Sequence, residues 1–263
     1  MKFRPCIDIH QGAVKQIVGG TLHDDSHPLI ENYVSDRDAA YYARMFRDDS
    51  LRGGHVIMLG PGNEREALKA LQAFPGGLQI GGGITAENAA YFLRQGASHV
   101  IVTSYIFEEA DVSYKNLERI NREIGKDKLV LDLSCRVKNG AYFVTTDRWR
   151  TFTNFQVNAG NLQQLAGYCA EFLIHAVDVE GMRQGIDPEL VEKLGLWTTI
   201  PTTYAGGVRS FVDLDFIAQL GRKKLDVTIG SALDIFGGDL PYQDVVQWQN
   251  QFNALKDDNQ QYS

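Results

Sequence analysis

Two aspartates lie near the ends of short apolar stretches that resemble each other. Asp8 belongs to Pro5–His10 (PCIDIH) and Asp132 to Leu129–Ser134 (LVLDLS), which places the two carboxyl groups 124 positions apart. A single buried aspartate could simply accept hydrogen bonds from a neighbouring loop, because an unpaired buried charge is costly. A matched pair suits general acid–base catalysis, in which one group is protonated and the other is ionised. The pair therefore favours catalysis, although the residues alone leave open which aspartate is the acid.

Glycine-rich turns repeat with the same spacing. Gly81–Ile84 and Ala205–Val208 each follow an apolar stretch and open a helical pattern, and their glycine pairs are also 124 positions apart. Glycine lets the backbone approach a ligand, and the free N–H groups at the start of a helix attract an anion. After each turn, a second apolar stretch ends in small polar residues. We predict one phosphate site from Gly82, Gly83, Thr103 and Ser104, and another from Gly206, Gly207, Gly230 and Ser231.

The elements that must position these motifs repeat as well. The motifs recur in one order, which indicates a duplicated half, and apolar stretches alternate with segments of helical period. Eight such units predict an α/β protein, a TIM (β/α)8 barrel built from two duplicated half-barrels, as a single domain over 1–263. The strands are predicted at 3–9, 55–59, 78–80, 99–103, 128–133, 172–177, 199–204 and 226–230, and the helices at 36–50, 63–74, 85–95, 111–124, 161–170, 187–194, 210–220 and 241–256.

In such a barrel the two aspartates face each other across one mouth. Side chains alternate along a strand, so Asp8 points to the barrel axis if Ile7 and Ile9 face the helices. Strands one and five of eight lie opposite each other, and the loops after strands seven and eight frequently bind phosphate. Two phosphate sites flanking two carboxylates predict an elongated substrate with a phosphate at each end and proton transfers in its middle.

Two loops are longer than usual connections, and both follow the strands that carry the aspartates. Segments 19–36 and 134–161 are expected to act as lids at the mouth, the alternative being tolerated surface insertions. The second segment contains a hairpin at 136–143 with an Asn-Gly turn. It also contains Trp149, which could stack on a planar heterocycle or anchor the loop.

Other kinds of site have little support. His175, Asp178 and Glu180 end the sixth strand, but alternate positions along one strand rarely converge on a metal ion. No metal is therefore predicted, and a carboxylate here is expected to contact the substrate, with Asp178 as the candidate. No Ser–His–Asp order, Walker loop or dinucleotide fingerprint stands out.

Composition narrows the class of protein. The 263 residues carry a net charge of −7, which argues against a nucleic-acid surface and requires local donors to hold an anionic ligand. Because there is no apolar signal region and no apolar run of membrane length, we expect a cytoplasmic protein without membrane contact. Cys6, Cys135 and Cys169 lack CxxC spacing and are expected to be free thiols.

The run from Arg4 to Thr21 (RPCIDIHQGAVKQIVGGT) strongly resembles the start of the phosphoribosylformimino-aminoimidazole carboxamide ribotide isomerases in their eukaryotic form. The resemblance covers essentially the whole chain. It implies a duplicated half-barrel that acts in histidine biosynthesis and needs no cofactor. The implied reaction is an Amadori rearrangement, in which an aminoaldose bisphosphate becomes an aminoketose. Further matching segments are Leu59–Asn63, Ile80–Ile84, Thr146–Trp149 and Leu173–Ala176.

The resemblance also implies roles for individual residues. Asp8 would be the general base that removes the C2′ proton, and Asp132 would be the general acid that opens the ribose ring. Trp149 would cover the aminoimidazole. Gln16, which stands where bacterial relatives usually carry arginine, would contact the substrate. The protein is expected to be a monomer that binds a small bisphosphate.

Two alternatives stay open. The cyclase subunit of imidazole glycerol phosphate synthase resembles this chain in its duplication and aspartate pair, and it usually carries a lysine after strand one, where this chain has Lys15. That cyclase depends on ammonia from a glutaminase partner. The other alternative is a phosphate-binding barrel that acts as a sensor or scaffold without catalysis.

Overall fold

Eight barrel strands and eight helices alternate along the part of the chain that the structure describes, as the sequence predicts. The computed structural model describes residues 1–17, 31–180, 182 and 184–260. Within these residues the barrel strands are β1 (Phe3–His10), β2 (Gly54–Met58), β3 (Leu78–Gly81), β4 (Val100–Val102), β5 (Leu129–Asp132), β6 (Glu171–His175), β7 (Thr202–Ala205) and β8 (Leu225–Ile229). The helices there are α1 (Ala39–Asp48), α2 (Glu64–Ala73), α3 (Ala89–Arg94), α4 (Tyr114–Ile124), α5 (Ala159–Leu165), α6 (Pro188–Trp197), α7 (Phe211–Leu220) and α8 (Tyr242–Gln260).

The barrel strands form one closed parallel sheet. Each strand pairs in parallel with its neighbours in chain order, and β8 returns to β1, where Phe3 lies opposite Val227. Eight parallel strands, each followed by a helix, are the defining arrangement of a TIM barrel. The predicted fold class is therefore confirmed, with β1–β4 and β5–β8 as the two halves.

Both faces of the sheet are buried, which explains why the strands are apolar along most of their length. Ile7 and Ile9 of β1 are fully buried and belong to the large apolar shell that also contains helix residues such as Phe46. A smaller apolar layer fills the inside of the barrel. It consists of Ile57, Ile101, Val130, Leu173 and Ala205.

A charged cluster fills the barrel below this apolar layer. The guanidinium of Arg4 lies 2.8 Å from Glu171 Oε1 and 2.7 Å from Asp226 Oδ2. Gln79 Nε2 also lies within hydrogen-bond distance of Glu171. Arg4 and Asp8 are four positions apart on one strand, roughly 13 Å at the usual rise per residue, so Arg4 does not neutralise Asp8.

The helices begin at side-chain caps. The side chains of Ser113, Asp187 and Ser210 each accept a hydrogen bond from a backbone N–H of the first turn. Pro188 occupies the first helical position of α6, where its missing N–H has no cost. None of the described helices is both long enough and apolar enough to span a membrane.

Three helices begin at least three residues later than predicted, and the first of them is α1, which begins at Ala39 after its cap at Asp38. Before α3, the N–H of Thr85 donates to Asn88 Oδ1 at 2.9 Å, so 85–88 form a turn and the helix begins at Ala89. Before α4, Asp111–Val112 pairs with Phe107–Glu108 in a short hairpin, which delays the helix to Tyr114.

The two long loops add strands at the mouth. Ala13–Ile17 folds back antiparallel on β1 and pairs in turn with Glu31–Val34. Most of the lid predicted over 19–36 lies outside the described residues. The loop over 134–161 forms an antiparallel sheet, of which the predicted hairpin is one part. Its three strands are Cys135–Lys138, Ala141–Thr146 and Thr151–Gln156.

Candidate active site

Asp8 points into the mouth of the barrel, as the alternation along β1 predicts. Gln16 Nε2 donates to Asp8 Oδ2 at 3.2 Å, and the thiol of Cys6 lies 3.9 Å from the same oxygen. Gln16 reaches Asp8 because Ala13–Ile17 folds back along the end of β1. The carboxyl group is thus held by one amide and one weak thiol donor.

The surroundings of Asp8 favour its neutral form. Burial removes the carboxylate from water and Glu180 adds like-charge repulsion, while His175 and the hydrogen bond from Gln16 act in the opposite direction. Together these effects raise the pKa of Asp8 to about 7. A carboxyl group that titrates near neutral pH is well matched to accept a proton and return it.

Asp132 ends β5 on the other side of the mouth, and three side chains of the described residues surround its carboxylate. Ser134 Oγ donates to Oδ1 at 3.0 Å, and Thr103 Oγ1 donates to Oδ2 at 3.3 Å. His175 Nδ1 lies 3.1 Å from Oδ1. Thr103 follows β4 and His175 ends β6, so three adjacent strands converge on this one carboxylate.

His175 is a cation among the carboxylates of the mouth. Burial disfavours its charge, but Asp132, and to a lesser extent Glu180 and Asp8, raise the pKa of His175 to about 9. The imidazole is therefore protonated at neutral pH and forms an ion pair with Asp132. The indole of Trp149 lies beside it, with ring centroids 6.3 Å apart and planes inclined by 42°.

An unusual turn carries Trp149. Asp147, Arg148 and Trp149 have φ angles of 52°, 54° and 66°, which place three consecutive non-glycine residues in the left-handed region. That region is sterically disfavoured for L-residues and is normally visited by single residues. The turn brings the indole next to His175, where it is available to cover a bound ring.

Steric contacts explain the glycines of both predicted phosphate turns. Gly82 and Gly207 have φ angles of 93° and 75°. A Cβ at Gly82 would collide with the carbonyl oxygen of Met58, and one at Gly207 would collide with that of Gly185. Turns packed this tightly are a general means by which backbone N–H groups approach a phosphate.

One pocket brings Asp8 and Gln16 together with the predicted phosphate site of the second half of the chain. Asp8, Gln16 and His175 line it. The lining also includes the complete second phosphate site, Gly206, Gly207, Gly230 and Ser231. Within the described chain, the residues of the first phosphate site are not part of this lining. Gly82, Gly83, Thr103 and Ser104 follow β3 and β4, on the side of the mouth where Asp132 lies.

Asp178 is not brought into this pocket. Its carboxylate lies 2.8 Å from Arg136 Nε and accepts the N–H of Val137 at 3.0 Å, which ties the three-stranded sheet to the segment after β6. Glu180 lines the pocket instead. The chain leaves β6 through a 3-10 turn over Val177–Val179, so the strand alternation does not extend to these carboxylates.

Sequence reasoning gave no role to three other residues of the pocket. Cys6 is a free thiol, as the sequence predicts, and burial raises its pKa well above the ordinary value because it disfavours the thiolate. For His55, burial disfavours the imidazolium and so lowers the pKa, which leaves this imidazole neutral. For His175 the sequence suggests only a weak metal ligand. The signal that could have found Cys6 and His175 is their position on the inward-facing side of their strands.

Comparison with known proteins places this site in a family. The model of the histidine biosynthesis protein family matches residues 2–240. The chain belongs to this family. The family resemblance of the run from Arg4 to Thr21 and the further matching segments is therefore confirmed.

Relatives within the histidine biosynthesis family cover most of the chain. A chloroplastic protein of Medicago truncatula named 1-(5-phosphoribosyl)-5-((5-phosphoribosylamino)methylideneamino)imidazole-4-carboxamide isomerase is 52% identical over 95% of this chain and 82% of its own. The isomerase of the same name from Neurospora crassa is 49% identical over 94% and 98%. That of Saccharomyces cerevisiae is 46% identical over 94% and 97%.

Proposed function

We propose that the protein isomerises the phosphoribosylformimino-aminoimidazole carboxamide ribotide, an aminoaldose bisphosphate, to its ribulosyl isomer in histidine biosynthesis. Relatives that are 46% to 52% identical are named for this isomerase activity. The observation that carries the proposal is the state of Asp8. Its pKa of about 7 suits a general base, and it stands across the mouth from a second carboxylate.

The reaction requires an acid and a base on opposite sides of the substrate. A proton on the ring oxygen lets the C1′–O bond break while the nitrogen lone pair forms a C=N bond. A base then removes the C2′ proton, and the resulting enamine becomes the ketose when C1′ is protonated. Asp8 suits the base, and the acid belongs to the side of Asp132.

The two glycine turns suit the two phosphates of this substrate. Gly206, Gly207, Gly230 and Ser231 lie in the same pocket as Asp8. The first turn lies on the side of Asp132, so a substrate that spans both turns passes between the two carboxylates. Backbone N–H groups rather than bulk charge would hold the phosphates, because the net charge is −7. Trp149 would stack on the imidazole, and Gln16 would orient Asp8.

The cyclase alternative has less support. Lys15 stands where this cyclase usually carries a lysine. Lys15 is buried, and its Nζ lies 3.4 Å from Gln11 Oε1. It does not line the described part of the pocket. The test is incubation of the purified protein with the aminoaldose alone. Ketose formation is the expected result. Failure to form ketose, together with consumption of added ketose in the presence of ammonium, would establish the cyclase instead.

We also propose an oligomeric state and a cellular location for the protein. We expect a monomer, which light scattering of the purified chain at micromolar concentration would show. We expect a cytoplasmic location, to be checked by cell fractionation, since the relative from Medicago truncatula is named as chloroplastic. A dimeric mass or an organellar fraction would contradict these two expectations without affecting the proposed reaction.

A further inference from the structure

Gly230, a residue of the second predicted phosphate site, packs against the two donors of Asp8. A methyl group on its Cα would come within 2.6 Å of Gln16 Oε1 and 3.0 Å of Cys6 Sγ. Both distances are shorter than ordinary van der Waals contact, so a side chain here would displace the amide or the thiol. Gly230 is not among the residues with a positive φ angle. Space, and not backbone conformation, therefore requires glycine at this position.

Gln16 supplies the closer of these two donors to Asp8. Its Nε2 lies 3.2 Å from Asp8 Oδ2, whereas Cys6 Sγ is 3.9 Å from the same oxygen. The amide must direct its NH₂ group to Asp8, because an ionised carboxylate only accepts hydrogen bonds. Gln16 is 3% exposed, so this bond forms where water competes little for it. The amide thus spans from Gly230, at its oxygen, to Asp8, at its nitrogen.

The corresponding position in the first half of the chain carries a hydroxyl group. Thr103 and Gly230 are 127 positions apart, in the segments Val100–Ser104 and Val227–Ser231 that repeat each other. Thr103 Oγ1 donates to the aspartate of its own half, Asp132, at 3.3 Å. Gly230 has no side chain to donate, and an amide from another strand provides the hydrogen bond instead. The residue after the strand therefore affects the aspartate directly in one half and through an amide in the other.

Titratable groups on several elements act on Asp8 together with Gln16. Burial and the carboxylate of Glu180 raise the pKa of Asp8, while His175 and the hydrogen bond from Gln16 lower it, with about 7 as the result. Cys6 is a neutral thiol beside it. Further titratable side chains on the elements packed around Asp8 are His10, Lys15, His55 and, at the far end of the barrel, Arg4 and Asp226. The effect of Gln16 comes from a directed hydrogen bond, so it depends on where the amide lies.

We propose that Gly230 is a positioning residue for Asp8, because the missing side chain at this position lets the amide of Gln16 lie between the turn after β8 and the base. The inference rests on the proposed isomerase function and deepens it. It gives a residue of the predicted phosphate site a second role, in which the phosphate takes no part. Gln16 acts through the same contact, by holding the carboxylate of Asp8 in place and favouring its ionised form.

Displacement of the amide has a defined consequence for the base. The hydrogen bond from Gln16 lowers the pKa of Asp8, so its loss raises that pKa above about 7. Asp8 accepts a proton only when it is ionised, and a smaller fraction of it is then ionised at neutral pH. The acid limb of the pH–activity profile should therefore move to higher pH.

The test measures the pH dependence of kcat/KM, which reports the free enzyme, for the parent, Gly230→Ala, Gln16→Met and the double variant. Methionine has nearly the size of glutamine but no N–H donor. We expect the acid limb, near pH 7 in the parent, to move up by about one pH unit in each single variant. At a pH of about 6, kcat/KM relative to its maximum should then be about tenfold lower. The matched control is Gly160→Ala in α5, where a methyl group would meet Asn158 Oδ1 at an ordinary 3.6 Å and the limb should not move.

The double variant shows whether Gly230 acts through Gln16. If it does, Gly230→Ala should not move the limb further once residue 16 is methionine, since changes that act through one contact do not add. Additive shifts would overturn the inference, and so would a limb in Gly230→Ala that stays at the parent position. A contact with the phosphate alone would lower kcat/KM by the same factor at every pH and leave the limb in place, which would also overturn it.

Two measurements without turnover keep the inference testable if Gly230→Ala does not fold. Gln16→Ala/Gly230→Ala should then regain folding, because removal of the long side chain makes room for the methyl group, and a double variant no more stable than Gly230→Ala would overturn the inference. Carbon-13 NMR of the aspartate carboxyl groups, with Asp8→Asn to assign the signal, should show a pKa of about 7 in the parent and a higher one in Gln16→Met. Equal pKa values would overturn the inference. A parent that forms no ketose would instead overturn the proposed function, and the NMR titration distinguishes the two failures.

Discussion

Asp8 and Asp132 occupy equivalent positions in the two halves of the barrel, but their surroundings differ. Asp8 has an amide and a thiol as donors and faces the carboxylate of Glu180, and its pKa is raised to about 7. Asp132 is surrounded by two hydroxyl groups and a protonated imidazole. The duplication therefore supplies two carboxylates at the same depth, and their neighbours decide what each can do.

The two halves of the barrel share one backbone arrangement but surround their aspartates with different groups. On the first side, burial and like charge favour proton uptake at neutral pH. On the second side, two hydroxyl groups and the protonated imidazole of His175 lie around the carboxylate. Each half thus places different side chains next to an equivalent aspartate, which is how one barrel can supply both an acid and a base.

The largest effect is expected for Asp8→Asn. This change removes the base but keeps the size and the hydrogen-bonding capacity of the side chain. We expect kcat to fall by about 10³- to 10⁴-fold. Calorimetric titration with the ketose product should show affinity close to that of the parent. Turnover at the parent rate would refute the role of Asp8 as the base. A parent that binds the ketose but forms none from the aminoaldose would instead indicate a non-catalytic binding barrel.

Asp132→Asn should cost less. The variant loses the charge that keeps His175 protonated, but His175 and the substrate sites remain in place. In the proposed reaction the acid lies on the side of Asp132, so we expect kcat to fall by about 10²-fold. Because Asp132 is the main group that raises the pKa of His175 to about 9, that pKa should fall as well, which nitrogen-15 NMR of the histidines would show. A kcat within about twofold of the parent would show that Asp132 takes no part in the proton transfers.

Glu180→Gln should shift the other limb of the profile. Asp8 acts as a base only when it is ionised, so activity should fall as the pH decreases through about 7. Removal of the like charge on Glu180 lowers the pKa of Asp8, and the acid limb moves to lower pH. At a pH of about 6, kcat relative to its maximum should rise by about threefold. A shift to higher pH would mean that Glu180 acts on Asp8 through another contact.

The smallest effect is expected for Asp178→Asn. The side chains of Asp178 and Arg136 are 42% and 39% exposed, and ion pairs at such exposure contribute about 1 kcal/mol or less. The thermal midpoint should fall slightly, and kcat should change by less than about twofold. A loss of kcat comparable to that of Asp132→Asn would indicate that Asp178, as the sequence predicts, does contact the substrate.

Much of the barrel could be predicted because it depends on local pattern. The apolar stretches, the alternation that directs Asp8 inward, and the glycines that only a tight turn requires are all visible in the sequence. The strand Thr151–Gln156 is harder to predict from the sequence, since most of its residues are polar. It becomes a strand by pairing with Ala141–Thr146.

The positions of the remaining site residues depend on the register of the strands and on the turns that follow them. His175 meets Asp132 because Leu173 lies opposite Asp132 in the sheet, a pairing that the sequence does not reveal. The choice between Asp178 and Glu180 depends on a 3-10 turn, in which side chains repeat every three residues rather than every two. Strand alternation therefore does not fix where the side chains of Asp178 and Glu180 point.

The layer of Ile57, Ile101, Val130, Leu173 and Ala205, with the Arg4 cluster beneath it, separates the reacting groups from the far end of the barrel. Among the described residues this layer closes the far end, so water reaches Asp8 and His175 from the mouth. If a bisphosphate fills the mouth and Trp149 covers it, as proposed, exchange with solvent should be slow compared with proton transfer. A hydrogen isotope placed at C2′ would then be transferred to C1′ of the same molecule. The apolar layer inside the barrel would therefore affect how much isotope the product retains, in addition to its effect on stability.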